Sequence, residues 1–204
     1  MPEGVPPTMP EDGLTAKRRR LRPALIVNTG NGKGKTTAAM GLALRGWHQG
    51  WSIGVFQFVK SGKWQTGERA ALTALGAEHQ RTGAGGPVEW FATGAGRRWV
   101  RRPDAEPEPG DAAREAWDEV KLRLAQQRHQ LYVLDEFAYP LTWGWLDLAD
   151  VVTTLRNRPG SQHVVITGRG VPAELLEIAT TVTEMTKLKH PFDSGQKGQA
   201  GIEW

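Results

Sequence analysis

A glycine- and lysine-rich stretch near the start of the chain has the residue types of a phosphate-binding loop. Glycines let several backbone N–H groups converge on an anion, and the helix expected to follow adds partial positive charge at its start. The ammonium group of Lys35 would neutralise phosphate oxygens, and the hydroxyl group of Thr36 would reach a Mg²⁺ ion. We therefore predict a Mg-nucleotide site formed by Thr29, Gly30, Asn31, Gly32, Lys33, Gly34, Lys35, Thr36 and Thr37.

The glycine spacing of this stretch departs from the usual phosphate-loop pattern. That pattern has a glycine five residues before the Gly-Lys pair, a position that Thr29 occupies here. The first glycine comes one position later, at Gly30, and Gly32 and Lys33 fill the loop. The structural alternative is a glycine-rich turn that only opens a helix. The apolar run before the loop and the Lys-Thr pair inside it favour phosphate binding.

Two adjacent acidic residues, Asp135 and Glu136, follow the apolar run of residues 131–134. A carboxylate at the end of a strand that neighbours a phosphate loop can hold Mg²⁺ directly or through water. We expect metal contact from this pair together with Thr36, but not direct ligation by both carboxylates. The alternative is that one of them only caps the next element. Glu136 is also suited to activate a water molecule, so nucleotide hydrolysis stays open on the motifs alone.

Short apolar runs alternate with helix-forming segments, and this alternation predicts the fold that must position these residues. We expect an α/β fold, P-loop NTPase-like, with a mostly parallel β-sheet and helices on both faces. Ligands of such sheets bind beyond the carboxyl ends of the strands. Residues 82–110 are rich in glycine and proline and are expected to form a long functional loop. The predicted strands are 24–27, 52–58, 77–81, 131–134, 163–166 and 182–188, and the predicted helices are 35–49, 68–75, 111–128, 146–156 and 172–179.

Composition narrows the classes of protein to which the chain can belong. The 204 residues contain no cysteine, which excludes a disulfide scaffold, a thiolate zinc site, an Fe–S cluster and a cysteine nucleophile. No run of 18 apolar residues is present, and the first residues are proline-rich rather than apolar. We therefore expect a cytoplasmic protein with neither a membrane segment nor a signal peptide.

Part of the basic charge of the chain lies at its start. Residues 1–22 carry five of the 26 basic residues and are predicted to be a flexible basic N-terminal arm, so that the α/β domain spans 23–204. The arm either only solubilises the protein or orders on an anion or a partner subunit. A nucleotide-dependent nucleic-acid-binding protein would suit the arm and the nine tryptophans. Outside the arm the charges nearly balance, so a nucleic-acid partner is not expected.

Seven short motifs in register connect the chain to a known family. Together they resemble the P-loop-type corrinoid adenosyltransferases of cobalamin synthesis and salvage, and the resemblance runs over about residues 24–204. Only the phosphate loop is specific by itself, so the resemblance depends on the order of the whole set. The motifs are TGNGKGKTT at 29–37, QFVK at 57–60, GER at 67–69, VLDE at 133–136, NRPG at 157–160, VITGRG at 165–170 and KHPFD at 189–193.

The resemblance implies a reaction unlike phosphoryl transfer by a P-loop ATPase or kinase. A Co(I) corrinoid would attack C5′ of ATP and displace tripolyphosphate, in adenosylcobalamin synthesis or salvage. The resemblance also implies an ATP that lies reversed relative to other P-loop enzymes, a Mg²⁺ ion, a homodimer and a flavoprotein reductant as partner. Because Co(I) is already a strong nucleophile, the protein must mainly place cobalt near C5′ and stabilise the leaving triphosphate.

Site residues follow from the motifs by position. The resemblance implies that Lys35 and Glu136 are catalytic residues and that the loop residues 29–37 bind ATP. The metal ligands are expected from Thr36, Asp135 and Glu136.

Three further residues at strand ends are expected to line the same site. Gln57 and Lys60 end the second strand and are expected at the rim of the active site, with a solvated strand end as the alternative. Arg169 follows a later strand and is expected to contact a phosphate group of ATP, with a structural salt bridge as the alternative.

The chain departs from the family where an aromatic stretch is expected. Relatives carry Thr-Gly-Phe-Thr-Trp after the third strand, whereas the matching Thr82 and Gly83 are followed here by three small residues. We expect Trp90 and Phe91, placed in a glycine-rich loop, to provide instead the apolar floor beneath the corrinoid. The alternative is that these aromatic residues only anchor the loop to the body of the protein.

Overall fold

The computed structural model describes residues 13–15, 22–59, 66–92 and 110–202. Six strands are present in these ranges: β1 (Leu25–Thr29), β2 (Ile53–Gln57), β3 (Val88–Ala92), β4 (Leu131–Asp135), β5 (His163–Thr167) and β6 (Thr181–Glu184). The helices are α1 (Lys35–His48), α2 (Gly67–Thr82), α3 (Asp111–Ala125), α4 (Ala138–Thr142), α5 (Leu148–Arg156) and α6 (Ala173–Ile178). A 3₁₀ turn at Pro191–Ser194 follows the last strand.

All six strands form one sheet in the order β3-β2-β4-β5-β1-β6, and every neighbouring pair is parallel. Because the strands are parallel, their carboxyl ends meet at the same edge of the sheet. Gln57 pairs with Asp135 in register, and Asn28 pairs with Thr167. This topology brings the polar residues that end β1, β2, β4 and β5 together at one edge.

Two apolar cores cover the two faces of the sheet. Buried residues of α1 and α2, such as Met40 and Leu72, pack on one face together with Val55 and Val133. Residues of α3, α4, α5 and α6 pack on the other face around Phe56. The central strands β2 and β4 are buried throughout, as continuous apolar runs covered on both faces require. The predicted α/β fold, P-loop NTPase-like, is confirmed.

Several predicted elements differ from the observed ones. The strand expected at 77–81 is wrong, because these residues continue α2, which ends only where Gly83 adopts a left-handed conformation with φ of 74°. The short helix α4 was not predicted. Among the described residues, no helix is long and apolar enough to cross a membrane. The predicted arm lies outside the described residues except for 13–15 and Arg22, so it stays a prediction.

The loop expected over residues 82–110 contains a strand. Val88–Ala92 form β3, which pairs with β2 at the edge of the sheet, whereas residues 93–109 lie outside the described part of the chain. Because β3 is the third strand, Thr82 and Gly83 cannot be the Thr-Gly pair that follows it. They end a helix instead. In the sequence, the pair after β3 is Thr93 and Gly94.

Trp90 and Phe91 are therefore strand residues and not loop residues, which corrects the prediction. Phe91 stacks on Phe56 with ring centroids 4.7 Å apart, and the guanidinium carbon of Arg123 lies 4.3 Å from the Phe91 ring centre. Trp90 packs against the core on the other face, as alternation along a strand requires. The role of these residues as a corrinoid floor stays a prediction, and their core contacts favour the structural alternative.

Replacement of Phe91 by alanine separates the two roles. We expect the free energy of unfolding to fall by about 2–3 kcal/mol, because the substitution deletes a partly buried ring from a packed core. Unfolding in urea would measure this loss, with Phe91→Leu as the milder control. If Phe91 is only a core residue, the folded variant should keep the reaction that the resemblance implies, adenosylation of a Co(II) corrinoid supplied with a reductant, at the rate of the unchanged chain. Slow reaction of Co(II) together with unchanged stability would instead favour the floor.

His129 is a buried histidine at the amino-terminal end of β4, with a side chain and backbone only 1% exposed. Its ring nitrogens lie 3.0 Å from the Ser52 hydroxyl oxygen and 3.4 Å from a guanidinium nitrogen of Arg123. Burial lowers the pKa of His129 to about 4, with the charges of Arg123 and Arg128 acting in the same direction and that of Glu89 opposing them. His129 is therefore neutral in the folded protein well below pH 6.5.

This depressed pKa predicts a pH dependence of stability. In the unfolded chain His129 takes up a proton near pH 6.5, whereas in the folded protein it does so only near pH 4. The contribution of His129 to the free energy of unfolding is therefore fully present above pH 6.5 and is lost as the pH falls from 6.5 to 4. From pH 7.5 to 5.5 we expect His129 to account for a loss of about 1 kcal/mol. Urea unfolding at these two pH values should show that the free energy of unfolding of His129→Gln falls by less than that of the wild type, and the difference should equal the contribution of His129. Unchanged pH dependence in the folded His129→Gln variant would contradict the assignment to His129.

Candidate active site

The phosphate loop connects β1 to α1 at the edge where the strands end. Gly30 and Gly34 adopt φ angles of 93° and 104°, in a region that favours glycine because it has no Cβ. No side chain caps the start of α1, which follows Gly34. The backbone N–H groups of its first turn are thus not held by a capping side chain, and they carry the partial positive charge of a helix start. This arrangement can bind an anion.

Lys35 lies across the loop. Its ammonium nitrogen donates hydrogen bonds to the carbonyl oxygens of Gly30, at 2.7 Å, and Gly32, at 2.6 Å. Burial lowers the pKa of Lys35, the charge of Arg169 lowers it further, and the charge of Glu136 opposes this shift. Both Arg169 and Glu136 therefore act electrostatically on the loop lysine, so the three predicted residues share one site.

A backbone segment that the sequence motifs did not indicate forms one wall of the loop. The N–H of Gly32 donates to the carbonyl oxygen of Met185 at 2.5 Å, and the N–H of Met185 donates to the carbonyl oxygen of Thr29 at 2.9 Å. A Cβ at Gly30 or at Gly32 would lie 2.6 Å from the Met185 oxygen. The shifted glycine spacing has a structural reason, since the segment after β6 approaches the loop too closely for side chains. No chemistry-bearing side chain marks this contact in the sequence.

Asp135 is fully buried beneath the loop and accepts hydrogen bonds from three side chains. The hydroxyl groups of Thr36 and Thr167 each donate to its Oδ1 atom at 2.8 Å, and the amide nitrogen of Gln57 donates to its Oδ2 atom at 3.2 Å. Gln57 is only 4% exposed, so its predicted place at the rim is wrong. It lies below the site, where its amide group donates to the buried carboxylate of Asp135. The position of Lys60 is outside the described residues.

Glu136 lies one residue beyond β4, and its backbone conformation differs from that of the strand residue Asp135. Its φ angle is 60°, a left-handed conformation that is uncommon outside glycine, and its N–H donates to the hydroxyl oxygen of Thr167 at 2.9 Å. Glu136 is half-buried, and its negative charge also contributes to the raised pKa of Tyr139, after burial. Of the two acidic residues, Glu136 is the one on the solvent side of the site.

The remaining loop residues and Arg169 lie toward solvent. Asn31, Lys33, Thr37 and Arg169 are exposed, and their contacts with phosphate stay predictions. Arg169 follows Gly168 at the end of β5, and its charge lowers the pKa of both Lys35 and Tyr139. Its guanidinium group therefore lies close enough to the loop to interact with an anion bound there.

The oxygen atoms at this edge fit Mg²⁺ bound together with phosphate. Mg²⁺ commonly uses one or two carboxylates together with phosphate and water oxygens, and does not need an all-protein cage. Thr36 and Glu136 provide such oxygens. The buried carboxylate of Asp135 instead already accepts hydrogen bonds from three side chains. Within the described ranges, no cluster of three or more histidine or acidic side chains forms a metal cage. A cation here would need ligands from a bound nucleotide.

Comparison with known proteins identifies the family of the chain. Residues 22–204 match the model of the family described as ATP:corrinoid adenosyltransferase BtuR/CobO/CobP. The chain is 40% identical to a corrinoid adenosyltransferase of Escherichia coli over 195 residues, which cover 95% of this chain and 91% of the relative. Corrinoid adenosyltransferases of Salmonella typhimurium and Pseudomonas aeruginosa are 39% and 37% identical, covering 95% of this chain and 91% and 89% of the relatives. The chain therefore belongs to the ATP:corrinoid adenosyltransferase family and is a transferase.

Proposed function

We propose that the protein transfers the 5′-deoxyadenosyl group of ATP to the cobalt of a Co(I) corrinoid and releases tripolyphosphate. Together with family membership, one observation carries this proposal: a phosphate loop leads into a helix that begins at Lys35, and Lys35 interacts electrostatically with Glu136. In the reaction, cobalt donates an electron pair to C5′ to form the Co–C bond. The C5′–O bond breaks, and its electron pair leaves with the triphosphate.

The residues at the loop are suited to stabilising the leaving triphosphate. Negative charge on the bridging oxygen rises as the C5′–O bond breaks, and preorganised donors aimed at such charge lower the barrier. Lys35 and the N–H groups at the start of α1 supply these donors. The ammonium group of Lys35 is already held over the loop by Gly30 and Gly32, and phosphate oxygens would replace these carbonyl oxygens as its acceptors. No residue has to remove a proton, because the nucleophile is a metal electron pair.

Thr36 and Glu136 would hold Mg²⁺ against the triphosphate. When bound, Mg²⁺ would neutralise part of the polyphosphate charge. Asp135 orients the hydroxyl group of Thr36 from below through the 2.8 Å hydrogen bond. The exposed Arg169 and Lys33 would contact the outer phosphates.

Further properties of the family are proposed for this chain on the same basis. We propose a cytoplasmic homodimer that acts in adenosylcobalamin synthesis or salvage and receives electrons from a flavoprotein reductant. The basic arm, residues 1–22, would fold over an active site, either its own or that of the partner subunit, once ligand is bound. Removal of the arm would then raise the KM for the corrinoid without unfolding the protein.

Incubation with MgATP and a chemically reduced corrinoid tests the proposed reaction directly. Phosphorus NMR should detect tripolyphosphate in an amount equal to a light-sensitive Co–C product that is followed by its absorption spectrum. Omission of the corrinoid should abolish tripolyphosphate release. Formation of ADP and phosphate with no Co–C product would contradict adenosyl transfer and favour an ATPase.

A further inference from the structure

The hydroxyl group of Thr167 connects the two adjacent carboxylate residues of the site. Its oxygen lies 2.8 Å from Oδ1 of Asp135 and 2.9 Å from the backbone nitrogen of Glu136. Thr167 is 1% exposed, so water cannot take over either contact at low cost. This single buried oxygen therefore contacts both acidic residues from which metal ligands were expected.

The direction of both hydrogen bonds is fixed by chemistry. A hydroxyl group has one proton to donate and can accept through its lone pairs, whereas a backbone N–H can only donate. The oxygen of Thr167 must therefore accept from Glu136, which leaves its proton for the carboxylate of Asp135. One contact lies below the site, and the other holds the backbone of Glu136 in its left-handed conformation with φ of 60°.

The surrounding backbone leaves Thr167 little freedom to move. It ends β5, which pairs with β1 on one side and with β4 on the other. The next residue, Gly168, has φ of 141°, and a Cβ there would lie 2.5 Å from the Cβ of Ala138. The end of β5 is therefore packed tightly against Ala138, the first residue of α4 after the turn that carries Glu136, and this packing keeps the hydroxyl group of Thr167 in position.

We propose that Thr167 is a positioning residue that assigns different roles to the two carboxylates. Its donated proton helps to keep Asp135 below the loop, where Asp135 orients Thr36. Its accepted hydrogen bond holds Glu136 in the backbone conformation that presents the second carboxylate to the cation. The inference deepens the proposed Mg²⁺ site and rests on that proposal.

Binding of Mn²⁺ in the presence of ATP, followed by electron paramagnetic resonance, tests this role without any corrinoid. Thr167→Val keeps the shape of the side chain and removes the hydroxyl group. We expect the variant to bind Mn²⁺ about tenfold or more weakly than the wild type. Loss of a partner that orients a metal ligand commonly lowers the metal affinity by this amount. Thr167→Ser restores the hydroxyl group and should bind within about twofold of the wild type. A general structural defect would not be rescued in this way.

A matched control removes a threonine hydroxyl group from another strand. Thr181→Val in the exposed strand β6 should leave Mn²⁺ binding unchanged. Thr167→Ala serves in place of the valine variant if the latter does not fold. Wild-type affinity in the folded valine or alanine variant, or equal losses in the valine and serine variants, would overturn the positioning role. Failure of the wild type to bind Mn²⁺ with ATP would overturn the metal site and this inference with it, whereas loss of adenosyl transfer alone would not affect this assay.

Discussion

Replacement of Lys35 by alanine is expected to lower kcat/KM for adenosyl transfer by about 30- to 1000-fold, which corresponds to about 2–4 kcal/mol of transition-state stabilisation. The reason is the place of the ammonium group, which spans the loop between the carbonyl oxygens of Gly30 and Gly32 and is partly desolvated. A charge held in this way acts on the leaving triphosphate without first being reorganised. Steady-state kinetics with chemically reduced corrinoid would measure the loss.

A lysine away from the site provides the control for this variant. Lys121 of α3 forms ion pairs with Asp118 and Asp150, so Lys121→Ala changes the same charge without touching the loop. Its kcat/KM should equal that of the wild type. Because Lys35→Ala also removes a donor from two carbonyl oxygens, its thermal unfolding should be measured in parallel. Wild-type turnover by folded Lys35→Ala would show that the triphosphate is stabilised by other residues.

Replacement of Gly32 by alanine is expected to damage the loop as a whole. The added Cβ would lie 2.6 Å from the carbonyl oxygen of Met185 and 2.8 Å from that of Thr186, and backbone atoms cannot rotate away as a side chain can. We expect a loss of about 1–3 kcal/mol in the free energy of unfolding, as for other overpacked sites. ATP binding should weaken by about tenfold or more, since each hydrogen bond to a charged group contributes about 1.5–3 kcal/mol.

Gly41 offers a matched control for the same substitution. It lies inside α1, and no atom comes within 4 Å of a Cβ built there. Gly41→Ala should leave ATP binding unchanged and raise the stability by about 0.5–1 kcal/mol, because alanine is the better helix former. Calorimetric ATP titration and urea unfolding of both variants would give the comparison. Equal behaviour of the two alanine variants would exclude Met185 as a wall of the loop.

The parts of the fold that the sequence predicted well are those in which local pattern and tertiary contact agree. The apolar runs that became β1, β4 and β5 are buried on both faces, and nothing but a parallel sheet buries such runs easily. The loop was found because its glycines and Lys35 are local in sequence. The polar residues that end β2 and β4 were placed at the correct edge by topology alone.

The strand β3 was missed because its signals are those of an edge. It has only half-buried residues, and the glycines and the proline before it read as a loop. The helix α2 also ran on past its expected end, through a segment whose alternation resembles a short strand. These two errors together shifted the third strand and placed Thr82 and Gly83 opposite the wrong part of the family pattern.

The hydrogen bonds of the site are the part that no local pattern could predict. Gln57 was expected at the rim, but its depth depends on tertiary contacts such as its hydrogen bond to the buried Asp135 of the neighbouring strand. Thr167 was visible within a motif, but its two hydrogen bonds depend on β5 lying beside β4. Met185 contributes only backbone atoms to the loop, so its side chain gives no sign of the role.

The contact between the phosphate loop and Met185 has a consequence for the order in which the protein is assembled. During synthesis β1 emerges first, but both of its partners in the sheet, β5 and β6, are made after every other strand. The strand β2 can pair with β3 and with β4 before then. The phosphate loop therefore acquires its final shape late in folding, although it lies early in the chain. ATP would thus stabilise the completed sheet and would not serve as a template for the early one.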